Sequence, residues 1–191
     1  MFNENWYDDE QIVNLCNLVN EVKDISGSII EIGCWEGKST YNLANTCHPE
    51  NLICNDTWLG NVEESKITGK KHITESILED RNVYDIFINN MKTLTKNNYS
   101  VVKDDCCVWL QTYNTPIKFC HIDASHEYES VHKTISLLLP KMVVGGILCG
   151  DDFLNAGKNS KELHGGVGRA VEELLPNFTH IKNLWFWKKT V

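Results

Sequence analysis

The segment Ile29-Ile30-Glu31-Ile32-Gly33-Cys34-Trp35-Glu36-Gly37-Lys38-Ser39-Thr40 constrains this chain more than any other. An apolar run ends in an acid, turns on two glycines and opens into a helix-like stretch. That is the layout of a β-strand, a tight loop and a helix N-terminus. Glycine lets the backbone come close to a nucleotide-like ligand, so such a loop can floor a binding site. The Gly33-to-Gly37 spacing is not the G-x-G-x-x-G of dinucleotide sites. Many strand-to-helix turns carry glycine, so the weight of the segment depends on what surrounds it.

Strand-like and helix-like segments alternate along the whole chain. Residues 9–25 place Ile12, Leu15, Cys16, Val19 and Val22 at helical spacing. Strands are expected at 28–33, 51–55, 99–103, 117–122 and 147–149, after a Gly145-Gly146 turn. Helices are expected at 37–46, 82–96, 106–112, 128–139 (stopped by Pro140) and 167–175 (ended by Pro176). Residues 179–182 and 184–188 read as an antiparallel pair turning at Asn183. Such alternation predicts an α/β fold, a doubly wound, mainly parallel sheet with helices on both faces. No linker or repeat divides the 191 residues, so one domain is expected, with an N-terminal helix region over 1–27. The polar stretches 59–80 and 153–165 are expected to be active-site loops.

Composition excludes several classes. The net charge is -8 and lysine and arginine form no stripe, which argues against a nucleic acid partner. No apolar run reaches the length of a membrane span. The eight cysteines include no C-x-x-C pair, and several sit inside apolar runs, as at Cys54 and Cys120. They read as buried free thiols of a reducing, cytoplasmic setting. A homo-oligomer is not indicated.

Ligands of doubly wound sheets bind at the carboxyl ends of the strands. Here every expected parallel strand delivers a carboxylate to that edge: Glu31, Asp56, Asp104-Asp105, Asp123 and Asp151-Asp152. One such acid is explained as a helix cap. Five ends are harder to explain that way, because clustered carboxylates repel unless a ribose, an ammonium or a cation answers them.

With these residues in place, the chain resembles a small class I S-adenosylmethionine-dependent O-methyltransferase of the metal-dependent branch. That branch holds catechol O-methyltransferase and the macrocin- and mycinamicin-type sugar enzymes. Four blocks carry the resemblance: Glu31 to Ser39, Asn55 to Gly60, His121 to Glu129 and Val144 to Asp152. The resemblance implies a Rossmann-like, seven-stranded sheet with a C-terminal antiparallel pair. It implies S-adenosylmethionine as cofactor. Glu31 would neutralise the methionine ammonium, and the backbone from Gly33 through Gly37 to Ser39 would hold the carboxylate. Asp56 would take the ribose hydroxyls. Thr57 or Trp58 would flank the adenosine, Trp58 being equally readable as a core aromatic. Asp105 and Cys106 sit where the family reads adenine, and Asp123 borders the same site.

Asp123, Asp151 and Asp152 fall on two strand ends and are expected to hold Mg²⁺ or a similar divalent cation, although Asp151 or Asp152 could instead cap a turn. His126, three residues past Asp123, stands where the sugar enzymes place a histidine and is the expected general base. Its other readings are a cap for the next helix and a further metal ligand. His132 reads as a helix-face residue, and His164 as a substrate contact in the second loop. The expected acceptor is a small hydroxylated molecule such as a sugar or glycan unit. A metal-independent methyltransferase and a non-catalytic cofactor-binding protein are the alternatives.

Overall fold

The structure, a computed structural model, describes residues 2–153 and 165–190. Among these described residues, seven strands form one sheet: β1 (Ser28–Ile32), β2 (Leu52–Asp56), β3 (Tyr99–Lys103), β4 (Ile117–Ile122), β5 (Met142–Gly150), β6 (Thr179–Ile181) and β7 (Leu184–Lys188). Their order is β3-β2-β1-β4-β5-β7-β6. The first five are parallel, and β7 runs antiparallel to both β5 and β6. This is the doubly wound sheet with a terminal antiparallel pair that the sequence predicts. Among the described residues, eight α-helices connect and flank it: α1 (Asp9–Glu21), α2 (Lys38–Cys47), α3 (Val62–Thr68), α4 (Ile73–Asp80), α5 (Val83–Leu94), α6 (Cys106–Thr112), α7 (Tyr128–Leu138) and α8 (Gly165–Leu174). No described helix is long and apolar enough to cross a membrane.

Both sheet faces are covered, so β4 is buried along its whole length rather than on alternate residues, and the mostly apolar central strands also bury Glu31, Lys118 and His121. Ile29, Phe119 and Ile147 are register neighbours on one face and join a core with Leu15 and Val19 of α1, Leu43 of α2 and Phe87 of α5. Ile30, Cys120 and Leu148 form the opposite row and pack with Ile135 of α7 and Val171 of α8. All eight cysteines are free thiols.

Two expectations change. The stretch 59–80 is not an irregular loop, since it contains α3 and α4. Their turns are short, and the polar residues hid the periodicity. Gly145-Gly146 is not a turn before β5 but lies within it, at a register shift where Ile117 pairs with Met142 and Phe119 with Ile147. Five residues of β5 span two of β4 there, and Gly145, with φ 83°, takes up the irregularity without ending the strand. Most of the second expected loop, including His164, lies outside the described residues.

The carboxyl edge is drawn together by backbone contacts. The Gly33 amide donates to the Asn55 carbonyl at 2.8 Å, and the Asp123 amide donates to the Ile32 carbonyl at 2.8 Å. Gly33 has φ 87°, and a Cβ there would stand 1.8 Å from the Asp123 carbonyl oxygen. Only glycine permits this approach, which draws the ends of β1, β2 and β4 around one space.

Candidate active site

That space is a cavity of about 590 Å³ at the carboxyl edge. Its floor is the loop after β1. Asp56 and Thr57 follow from β2, Asp104 and Asp105 from β3, Asp123 and His126 from β4, and Asp151 and Asp152 from β5. The chain before α1 covers one side with Trp6 and Tyr7, while Asn61, Glu63 and His72 from the α3–α4 region close another.

Of the expected cofactor residues, Gly33, Ser39, Asp56, Thr57, Asp105, Cys106 and Asp123 line the cavity, whereas Glu31, Gly37 and Trp58 do not. Gly37 is the N-cap of α2, in left-handed backbone against the Phe87 ring. Trp58 is buried. Its indole N–H donates to the Trp35 carbonyl at 2.9 Å, and its ring centroid lies 4.8 Å from Tyr84 and 5.0 Å from Phe87. The core-aromatic reading of Trp58 therefore fits. Asp105 is the N-cap of α6, accepting from the Val108 amide at 2.9 Å.

Asp56 organises the loop it faces. One carboxylate oxygen accepts from the amides of Cys34 and Trp35 at 2.8 and 2.9 Å, and the other accepts from the Trp58 amide at 2.7 Å. Burial raises its pKa, and these three donors work against that rise.

Glu31 is fully buried beneath the cavity. It is the register partner of His121 on the adjacent strand, so both side chains lie on one face. Glu31 Oε1 is 3.2 Å from His121 Nδ1, His121 Nε2 is 3.2 Å from the Tyr7 hydroxyl, and that hydroxyl donates to Asp123 at 3.0 Å. A buried polar chain thus runs from Glu31 to the cavity wall. Glu31 Oε2 has no hydrogen-bond partner, which leaves room for one more donor.

The acids after β4 and β5 divide differently from expectation. Ligand atoms of Asp123, His126 and Asp152 lie within 4.8 Å of one another. Asp151 stays outside that group, with both its oxygens 3.4 Å from the Gln11 side-chain amide. Asp123 is pushed up to about 7 by burial first and by repulsion from Asp151 and Asp152 next. His126 is held on both nitrogens, with Nε2 2.8 Å from Asp152 and Nδ1 2.8 Å from Glu64. Burial alone would lower its pKa, yet the two carboxylates outweigh burial and raise it to about 10. In this arrangement the ring holds its proton at neutral pH, whereas a general base needs the neutral form.

Glu64, Tyr7 and His121 were not singled out in the sequence. Glu64 and Tyr7 lie in segments without a diagnostic pattern. His121 did carry a signal, since it precedes Asp123 by one strand period, on the face of Glu31.

The fold and the site together define a class I methyltransferase architecture. The chain belongs to the family described as Methyltransferase domain, whose model matches residues 30–153. Three solved structures show how widely the fold is shared. The O-methyltransferase NovP is 18% identical, with a TM-score of 0.70 over 95% of this chain and 80% of that one. The calicheamicin methyltransferase CalS11 is 14% identical, with a TM-score of 0.65 over the same shares, 95% and 80%. TomG from Streptomyces achromogenes, an O-methyltransferase of tomaymycin synthesis in complex with S-adenosylmethionine, is 14% identical, with a TM-score of 0.64 over 94% and 80%. No curated protein matches the chain.

Proposed function

We propose that this chain transfers a methyl group from S-adenosylmethionine to a hydroxyl oxygen of a small acceptor, such as a sugar or glycan unit, with a divalent cation assisting. The observation that carries this reading is the convergence of Asp123, His126 and Asp152 on the wall of the cavity that Gly33, Ser39 and Asp56 also line. Support for the oxygen acceptor comes from NovP and TomG, both O-methyltransferases, and from CalS11, described as a TDP-rhamnose 3'-O-methyltransferase.

The residues fit both absent groups. Asp56 faces the cavity with an ionisable carboxylate suited to paired ribose hydroxyls, and the unpartnered Oε2 of Glu31 suits an ammonium nearby. Two carboxylates and an imidazole suit a divalent cation, and the imidazole shifts the preference from Mg²⁺ toward Mn²⁺ or Zn²⁺. Asp123 and its acidic neighbours repel one another, and a cation would relieve that repulsion. Bound there, the cation would supply a charge that lowers the pKa of an acceptor hydroxyl. The protein's own share is alignment of donor and acceptor and exclusion of water.

His126 as general base is the second reading, favoured by its place on the cavity wall. The two roles compete for one nitrogen, because Nδ1 already faces Glu64. A screen with labelled S-adenosylmethionine over sugars, phenols and glycans, run with EDTA and again with Mn²⁺ or Mg²⁺, tests the proposal. Turnover that needs the cation is expected. Turnover indifferent to EDTA would leave a metal-independent methyltransferase, and labelling of no hydroxyl would overturn oxygen transfer.

A further inference from the structure

Glu64 is a carboxylate with 1% of its side chain exposed, carried by α3 in a stretch that looked like loop. Burying an ionised carboxylate is costly unless donors surround it. Its Oε1 is answered, by two groups of His126 among others, whereas the buried Oε2 makes no hydrogen bond among the described residues. Glu64 Oε1 accepts from the His126 backbone amide at 3.0 Å and stands 2.8 Å from the ring Nδ1. The Asn61 side-chain amide donates to the same oxygen at 3.1 Å, and His72 Nε2 lies 3.5 Å from Oε2. The other ring nitrogen, Nε2, faces Asp152 in the Asp123–His126–Asp152 group.

We propose that Glu64 is the positioning residue of His126: its carboxylate holds Nδ1, fixes the ring, and so presents Nε2 to Asp123 and Asp152. The inference rests on the cation-assisted reading only for what Nε2 then does. A carboxylate on the far nitrogen of a histidine sets its tautomer and orientation and raises its basicity as a ligand. The α3–α4 pair is thereby part of the active site and not only a wall of the acceptor pocket.

Glu64→Gln separates positioning from mere structure. Glutamine keeps the shape and an acceptor for the His126 backbone amide but removes the charge facing Nδ1. Three measurements on the purified chain decide the matter: the ¹⁵N signals of the His126 ring, Mn²⁺ affinity by calorimetry, and S-adenosylhomocysteine affinity. The expected result for Glu64→Gln is an altered His126 ring pattern and Mn²⁺ affinity lower by about 10-fold, with a further fall toward about 100-fold in Glu64→Ala. S-adenosylhomocysteine affinity should stay within about twofold of the unaltered protein, because Glu64 does not line the cavity. Unaltered ring signals and Mn²⁺ affinity in Glu64→Gln would overturn the proposal. Should the unaltered protein bind no Mn²⁺, the cation reading falls by itself and the ring signals alone decide the role of Glu64. Should Glu64→Ala not fold, Glu64→Gln suffices.

Discussion

Asp56 shows why a single substitution at this site has two consequences. Its oxygens take three backbone amides of the surrounding loop while facing the cavity. Asp56→Ala should therefore weaken S-adenosylhomocysteine binding and also destabilise the fold. Leaving donors of a charged acceptor unpaired costs about 1.5–3 kcal/mol. Calorimetry and urea unfolding read the two effects, and an Asp56→Ala protein with unchanged urea midpoint would contradict the loop-organising role. The titrating groups make a second prediction, for EDTA-treated protein. His126 rises from 6.5 to about 10 on folding, so its contribution is complete below pH 6.5 and lost as pH climbs through 10. Asp123 rises from 3.8 to about 7, so the fold keeps a proton that the unfolded chain gives up, and stability falls across that interval too. Both slopes have the same sign. Thermal melts should show Tm falling from pH 4 to pH 10, and His126→Gln should flatten the part above pH 6.5. A Tm that rises over this range would refute the assignment.

At the scale of elements, the join between the β1 loop and the end of β4 is the most demanding contact. Ala at position 33 would push a methyl onto the Asp123 carbonyl and hold a left-handed backbone at φ 87°. Overpacking and the left-handed penalty together are worth roughly 2–5 kcal/mol. Gly69, at the end of α3, has φ 65° but open space around its Cβ position. Gly69→Ala should cost only about 1–2 kcal/mol. Urea midpoints for the pair measure the difference, and equal losses would show that close approach does not matter at Gly33. Strand ends were legible because apolar runs stop at acids. The α3–α4 pair was not, since its helices have 7 and 8 residues, too few turns for a period to emerge from polar sequence.

For the whole molecule, a cofactor that fills the cavity must couple to folding. S-adenosylhomocysteine at 100 times its Kd adds about 2.7 kcal/mol. At 191 residues that is about 5–11 °C in Tm. A melt unchanged at saturating concentrations would count against the proposed cofactor. By itself the sequence determined the succession of strands and of every described helix but α3 and α4, the doubly wound class, and the acids Asp56, Asp123 and Asp152 at one edge. It could do so because periodicity, glycine turns and strand ends are local. Tertiary structure alone decided which of those acids meet. Asp151 is drawn to Gln11 of α1, 140 residues away in sequence, while Glu64 crosses 62 residues to reach His126. It also sent Trp58 into the core and Glu31 beneath the cavity, against His121. Such pairings depend on how helices dock across the sheet, and no local pattern encodes the direction in which a side chain meets a partner from a distant segment.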